Sequence, residues 1–215
     1  MHMTTVSIID YGIGNLLSVV RAFEYFQVKV RIAETPEDIL AAERLVLPGV
    51  GAFADGMKGL ADLSFIEPIK RFVQQGKPFL GICLGMQMML SHSNEFGNQT
   101  GLDLIQGNVI PIPPCDPQGV PHKIPHIGWN KLFATEQGSA WEQTILKNIE
   151  KEAAVYFVHS YMAVPQCPSK RLADTFYNGQ AISAVIHHEN IYGCQFHPEK
   201  SGVIGLRIIE QFMEL

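Results

Sequence analysis

Lys77-Pro78-Phe79-Leu80-Gly81-Ile82-Cys83-Leu84-Gly85-Met86-Gln87 is the stretch on which the reading of this chain turns. Residues 79–82 form a short apolar run, the length of a buried strand. Residues 84–90 are rich in strong helix formers. Cys83 stands at the junction, with Gly81 and Gly85 on either side. A sharp, strained turn from strand to helix, with small neighbours that let the chain fold back on itself, is how a nucleophile is presented. Backbone dipoles at a helix N-terminus favour the thiolate, the form that attacks carbon. Gln87, four residues on, falls on the same helix face as the thiol and within reach of a substrate. A lone cysteine is by default a small buried hydrophobe; the paired glycines shift the reading toward a nucleophile.

Upstream, residues 6–10 read as a first strand and residues 11–15 as a loop, with Asn15 as the N-cap of a helix. Leu16, Val19, Val20 and Phe23 recur at helical spacing, and residues 28–32 form a second strand. This β-loop-α-β unit predicts a parallel sheet. Gly12 and Gly14, with Glu34 further on, resemble part of a dinucleotide fingerprint, but position 17 holds Leu17 where the third glycine belongs. No cofactor is therefore expected. Residues 44–47 give a third strand that runs into Pro48-Gly49-Val50-Gly51-Ala52-Phe53, a loop whose unmasked N–H groups suit an oxyanion hole. Residues 66–75 read as a helix with Ile66, Ile69, Phe72 and Val73 on its apolar face and Gly76 as its C-cap. In open parallel sheets sites form at the carboxyl ends of strands, where both Gly49-Val50-Gly51 and Cys83 fall.

The second half has a different texture. Residues 93–101 are polar and loop-like, and residues 110–125 carry many prolines. Strand-like runs follow at residues 154–160, 171–175, 181–186 and 191–196, with residues 187–190 as a hairpin turn. The expected fold is α/β: a mostly parallel, doubly wound sheet with helices on both faces, plus a smaller antiparallel β excursion, in one domain over residues 1–215.

A second constellation lies in Tyr192-Gly193-Cys194-Gln195-Phe196-His197-Pro198-Glu199-Lys200-Ser201. Strand alternation sends Cys194 and Phe196 to the core and Gly193, Gln195 and His197 to the other face. In an extended backbone Glu199 points the same way as His197, so its carboxylate can fix the imidazole tautomer and leave the other nitrogen as base. Ser201 is placed to cap a final helix with Val203, Leu206, Ile209 and Met213 on its apolar face. Cys83, His197 and Glu199 then supply nucleophile, base and orienter. No metal is expected: His187, His188 and Glu189 are adjacent and diverge, and no His-Glu-x-x-His occurs.

Length and composition bound the rest. The 215 residues, 47% hydrophobic and 17% charged, are enough for a substantial core. The formal net charge of -5, with no basic stripe, argues against nucleic acid. No apolar stretch approaches membrane-spanning length, the N-terminus lacks the regions of a signal peptide, and the four cysteines are far apart. A reduced, cytoplasmic protein is expected.

Pro-Gly-Val-Gly, Gly-Ile-Cys-Leu-Gly-Met-Gln and Phe-His-Pro-Glu occur here in the order found in the class I, triad-type glutamine amidotransferases, and the chain resembles that family. Residues 10–16, 48–53, 125–130, 156–161 and 198–201 are similar to the branch whose members are glutaminase subunits of imidazole glycerol phosphate synthases, in histidine biosynthesis. The resemblance implies that Cys83 attacks the glutamine amide, giving a thioester and ammonia, while His197 relays protons and Glu199 orients it. It implies oxyanion donors from Gly49, Val50 and Leu84, and substrate contacts from Gly51, Gln87, Glu95, His159, Ser160 and Tyr161. It also implies a heterodimer with a cyclase subunit, a β/α barrel that uses the ammonia, docked against Asn15, Trp129 and Lys200. The proline-rich Ile112-Pro113-Pro114-Cys115-Asp116-Pro117 departs from the family pattern. The competing readings are an amidotransferase subunit for anthranilate or GMP synthesis and a non-catalytic activator of a cyclase. Residues 11–15 and 128–130 argue against the first, and an intact Cys83-His197-Glu199 set against the second.

Overall fold

The structure, a computed structural model, describes residues 4–215. Strands and helices alternate through its first part: β1 (Thr5–Ile9), α1 (Leu16–Glu24), β2 (Lys29–Ala33), α2 (Pro36–Ala41), β3 (Leu45–Leu47), α3 (Phe53–Asp62), α4 (Ile66–Gln74), β4 (Phe79–Ile82) and α5 (Leu84–Met88). Then come β5 (Leu90–Ser93), β6 (Gln99–Thr100), β7 (Ile105–Pro111), β8 (His126–Lys131), β9 (Phe133–Ala134), β10 (Ala154–His159), β11 (Tyr161–Pro165), β12 (Arg171–Tyr177), β13 (Gln180–His188), β14 (Ile191–Cys194) and α6 (Gly202–Glu214).

The main sheet has the order β2-β1-β3-β4-β14-β13-β12-β9. It is parallel from β2 to β14 and antiparallel beyond. The expected α/β, doubly wound architecture is what the chain forms. Its central strands are unbroken apolar runs because both faces are covered. In β3, Val46 joins the core on the α1 and α6 side, and Leu45 and Leu47 join the core under α2, α3 and α4. The excursion is a four-stranded sheet, β11-β7-β5-β6, with a separate β8–β10 pair. It is not wholly antiparallel, since β5 and β7 run parallel.

Several local expectations are corrected. The helix over residues 84–90 stops at Met88, because the returning segment takes its terminal carbonyls: Leu102 N–H donates to Met88 O, and Leu104 and Ile105 N–H donate to Met89 O. Asn15 makes no side-chain cap; only its carbonyl accepts, from Val19 N–H. Ser201 does not cap α6 either; its hydroxyl donates to His197 O at 2.7 Å and accepts from Tyr156 N–H at 3.0 Å. The apolar face of α6 is Ile208, Ile209, Phe212 and Met213, while Val203 faces solvent. His187 and His188 lie in β13, leaving Glu189 and Asn190 to make the turn. The helix α3 has no expectation to match it. It carries Gly56 and Gly59, weak helix formers, and both are needed for packing: a Cβ would come to 2.6 Å from Met88 Sδ at the first and 3.0 Å from the Tyr11 ring at the second.

The turn at Cys83 is as tight as its glycines imply. A Cβ on Gly85 would run into the Leu47 carbonyl oxygen, and one on Gly81 would run into Met89 Sδ and come within 2.8 Å of the Gly85 carbonyl. Neither obstacle can yield without moving β3 or α5. Gly85→Ala is therefore expected to lower the unfolding free energy by about 3 kcal/mol or more, measured by thermal or urea denaturation; an unchanged midpoint contradicts this packing.

Candidate active site

Strand register brings the two chemical stretches together. Ile82 of β4 is paired with Cys194 of β14, and Cys83 N–H donates to Cys194 O at 2.7 Å. The residues after both strands, Cys83 on one side and Gln195-Phe196-His197 on the other, must leave the sheet at the same place. Cys83 has φ 53° and ψ -107°, a conformation costly for a residue with a side chain, and it directly precedes α5. Cys194 and Phe196 point into the core, as alternation predicts, and burial pushes the Cys194 thiol up.

His197 is fixed at its backbone by an N–H bond to Tyr156 O at 3.0 Å and by the Ser201 hydroxyl on its carbonyl. Its Nδ1 lies 2.7 Å from Glu199 Oε1, with both side chains buried. The expected partnership forms, but by another route: residues 198–200 make a 3-10 turn and are not extended. Glu199 is acceptor-only when ionised, so Nδ1 carries the proton toward it and Nε2 is left for chemistry. Nε2 is buried without a hydrogen-bond partner. Burial alone would lower the basicity of this imidazole, but the charge of Cys83 and the hydrogen bond and charge of Glu199 outweigh it and raise the pKa to about 10. The arrangement places a protonated imidazole, held by a carboxylate, beside the Cys83 sulfur.

A cavity of about 400 Å³ opens over the sulfur. Its walls include Cys83, His197, Gln87, Glu95, Gly51 and Tyr161, with His159 and Ser160 beside them. All six expected substrate contacts are thus in one place. Glu95 is buried and accepts Phe53 N–H at 2.7 Å, at the start of α3. Gln87 Nε2 donates to Tyr161 O and to Gln195 Oε1, both at 3.0 Å. His159 is held neutral: its pKa falls to about 3, first through burial, with the charges of His126 and His197 adding to the effect.

Gly49, Val50 and Leu84 are the expected oxyanion donors. Leu84 N–H is not free; it donates to Gly49 O at 3.3 Å. The Gly49–Val50 peptide presents its carbonyl where the hole would need a donor. Gly49 itself has no room for a side chain, since a Cβ would come to 2.7 Å from Tyr11 Oη and 2.9 Å from Leu84 Cβ. Tyr11 Oη donates to Pro48 O at 2.9 Å, holding the strand that enters this loop. Val50 and Gly51 face the cavity.

Of the residues assigned to docking, Trp129 is 56% exposed, Lys200 is exposed and Asn15 is half-buried. They converge at one end of the fold: α1 packs on the turn that carries Lys200, and Trp129 lies beside Gly202. Pro125 and Val158, which also line the cavity, and the buried amide of Gln195 escaped the sequence reading. Alternation placed Gln195 on the His197 face, which is the signal that could have included it. All four cysteines are free, and no helix among the described residues is long and apolar enough to cross a membrane.

This geometry belongs to a known class. The glutamine amidotransferase class-I family profile matches residues 7–214, and the chain is a member of that family. Solved structures with the same fold include PurLQS from Thermotoga maritima, at TM-score 0.72 and 17% identity, with 99% of this chain and 98% of that one covered. Within the class, the chain is 66% identical over 213 residues to imidazole glycerol phosphate synthase subunit HisH 1 of Legionella pneumophila strain Paris, spanning 99% of this chain and all of that protein. It is 44% identical to subunit HisH of Geobacter sulfurreducens, again over 99% of this chain and all of the relative.

The imidazole of His197 titrates near 6.5 when unfolded and near 10 when folded. Its contribution to stability is therefore complete below about pH 6.5 and is lost as pH rises through about 10. In Glu199→Gln one of the two raising partners is gone. The NMR titration midpoint of His197 is expected to fall, and the stability lost between those pH values to shrink. An unmoved midpoint contradicts the pairing.

Proposed function

We propose that the chain is the glutaminase subunit of an imidazole glycerol phosphate synthase, making ammonia from glutamine for a cyclase subunit in histidine biosynthesis. The observation that carries this reading is the joining of Cys83, on its strained turn, with His197, the partner of Glu199, in the wall of one cavity. The names of the full-length relatives support the choice of synthase.

In this reading the Cys83 thiolate attacks the side-chain amide carbon of glutamine, forming a C–S bond. The C–N bond then breaks as the His197 imidazolium gives its proton to the leaving nitrogen, releasing ammonia and leaving a thioester. His197, now neutral, takes a proton from water as the water oxygen attacks the thioester carbon. Glutamate leaves, and the thiolate and imidazolium are restored. Glu95 is the counter-charge for the α-ammonium of glutamine, and Gln87, with its nitrogen engaged by Tyr161 and Gln195, offers its oxygen to the substrate. Both tetrahedral intermediates carry an oxyanion next to Leu84. Freeing the Leu84 N–H requires the Gly49–Val50 peptide to turn over, which adds Val50 N–H as a second donor. The isolated subunit is therefore poorly active, and an event that turns this peptide switches it on.

Free ammonia released into water at neutral pH is protonated and lost as a nucleophile. Delivery to a docked partner avoids this. Asn15, Trp129 and Lys200 form the docking face for the barrel-shaped cyclase subunit.

Cys83→Ala is expected to reduce glutamate release from glutamine by at least about 10³-fold, while the complex still makes product from added ammonium. Residual hydrolysis near the wild-type rate would refute the assignment of the nucleophile. Trp129→Ala, which removes an exposed aromatic from the docking face, is expected to weaken binding of the cyclase subunit about tenfold or more, measured by calorimetry; unchanged affinity places the interface elsewhere.

A further inference from the structure

We propose that Gln195 is a further catalytic residue of this site, whose side-chain N–H donates to the sulfur of Cys83 and favours its thiolate. The inference rests on the glutaminase reading above and adds a group to it. Gln195 Nε2 lies 3.8 Å from Cys83 Sγ, within range of an N–H···S hydrogen bond. The residue is fully buried, and its backbone N–H is bound to Ala184 O of β13 at 2.9 Å, so the amide is anchored to the sheet just beyond the end of β14.

The orientation of the amide is fixed by its surroundings. The carbonyl of Tyr161 can only accept, so the side chain of Gln87 must turn its NH2 group toward it. The second N–H of Gln87 then points at Gln195, which must answer with its oxygen. That leaves the NH2 of Gln195 facing Sγ. The reverse orientation would set two donors against each other at one end of Gln195 and an oxygen against a thiolate at the other. A backbone carbonyl thus sets, through two glutamine side chains, the sign of the dipole at the nucleophile.

The need for such a donor is visible around the sulfur. The other contact of Sγ is Val158 O at 4.0 Å, which accepts from the neutral thiol and repels the anion. The titratable groups facing this region are His197 after β14, with Glu199 behind it, Tyr11 after β1, and the neutral His159 of β10; Glu95 lines the same cavity. His197 is the one that carries positive charge. Gln195 adds a neutral donor that does not depend on the protonation of His197 and is in place whenever the sulfur carries charge.

Two near-isosteric variants separate this role from a merely structural one. Gln195→Glu keeps an oxygen for Gln87 but sets a carboxylate oxygen against Sγ; Gln195→Met removes both contacts. The readout is the rate of iodoacetamide alkylation at Cys83, followed by peptide mass from pH 5 to 9. Exposed Cys167 in the same digest serves as internal reference. Gln195→Met is expected to move the acidic limb of the Cys83 profile upward by about one pH unit and to slow alkylation at pH 7 roughly tenfold. Gln195→Glu is expected to be slower still, and glutamate release by the complex to fall in the same order. If Gln195→Glu alkylates like wild type while Gln195→Met alone is impaired, Gln195 only positions Gln87 and the proposal fails. Should Gln195→Glu not fold, an unshifted profile in Gln195→Met overturns it equally. Failure of the glutaminase reading has a different signature: glutamate release that survives Cys83→Ala.

Discussion

The pairing of β4 with β14 is the constraint on which the site depends. A parallel ladder with Ile82 opposite Cys194 leaves Cys83 and Gln195 side by side where the strands end, more than a hundred positions apart in sequence. A slip of one residue would exchange the faces of β14, sending Cys194 and Phe196 into the cavity and Gln195 and His197 into the apolar core. The register is held by burial, since Leu80, Ile82, Tyr192, Cys194 and Phe196 share one hydrophobic cluster. The catalytic geometry and the core are therefore specified by the same contacts.

Around that fixed pair the parts differ in stiffness. The turn at Cys83 is locked by packing against Leu47 and Met89, and the His197–Glu199 pair by buried bonds to β10 and to Ser201. The Gly49–Gly51 loop is built otherwise. Its carbonyl occupies the donor that catalysis needs, its last glycine has φ 98° with open space around it, and Val50 reaches the surface. Rotation of the Gly49–Val50 peptide changes ψ of a glycine and φ of Val50, whose side chain lies at the surface and not in the core. The Cys83 turn and the His197–Glu199 pair are fixed by packing and buried bonds, whereas the Leu84 N–H is engaged by a loop that has room to turn.

Much of this was legible in the sequence because it follows from local rules. The runs at β1, β3, β4 and β14 are apolar enough to identify as buried strands, and Gly81 and Gly85 announced a turn that only small residues can make. His197 and Glu199 were paired correctly although the turn between them was misjudged, because Pro198 starts a 3-10 turn as readily as it extends a strand. What was not legible depends on contacts distant in sequence. The helix α3 forms around two glycines because Tyr11 and Met88 pack onto them. The helix after Cys83 ends early because residues 102–105 take its carbonyls. Leu84 was an obvious oxyanion donor by position, yet its engagement by Gly49 is a property of two loops meeting, which neither loop encodes alone.

The histidines show how the fold divides labour among identical side chains. His197 and His159 both approach the cavity, and two imidazolium ions there would repel each other and disorder the thiolate's counter-ion. The structure prevents this by giving them opposite surroundings. His197 sits between a carboxylate and a sulfur and holds its proton to about pH 10. His159 donates from Nδ1 to Tyr161 O at 2.8 Å and meets His126 at 3.0 Å through Nε2. Since Nε2 then accepts, His126 Nδ1 must donate, and neither ring has a buried anion to balance a charge. Burial brings His126 to about 4, and burial with neighbouring imidazoles brings His159 to about 3. His159 is thus a neutral wall whose bond to the Tyr161 carbonyl steadies the group that also anchors Gln87. One positive charge remains beside the sulfur, on His197.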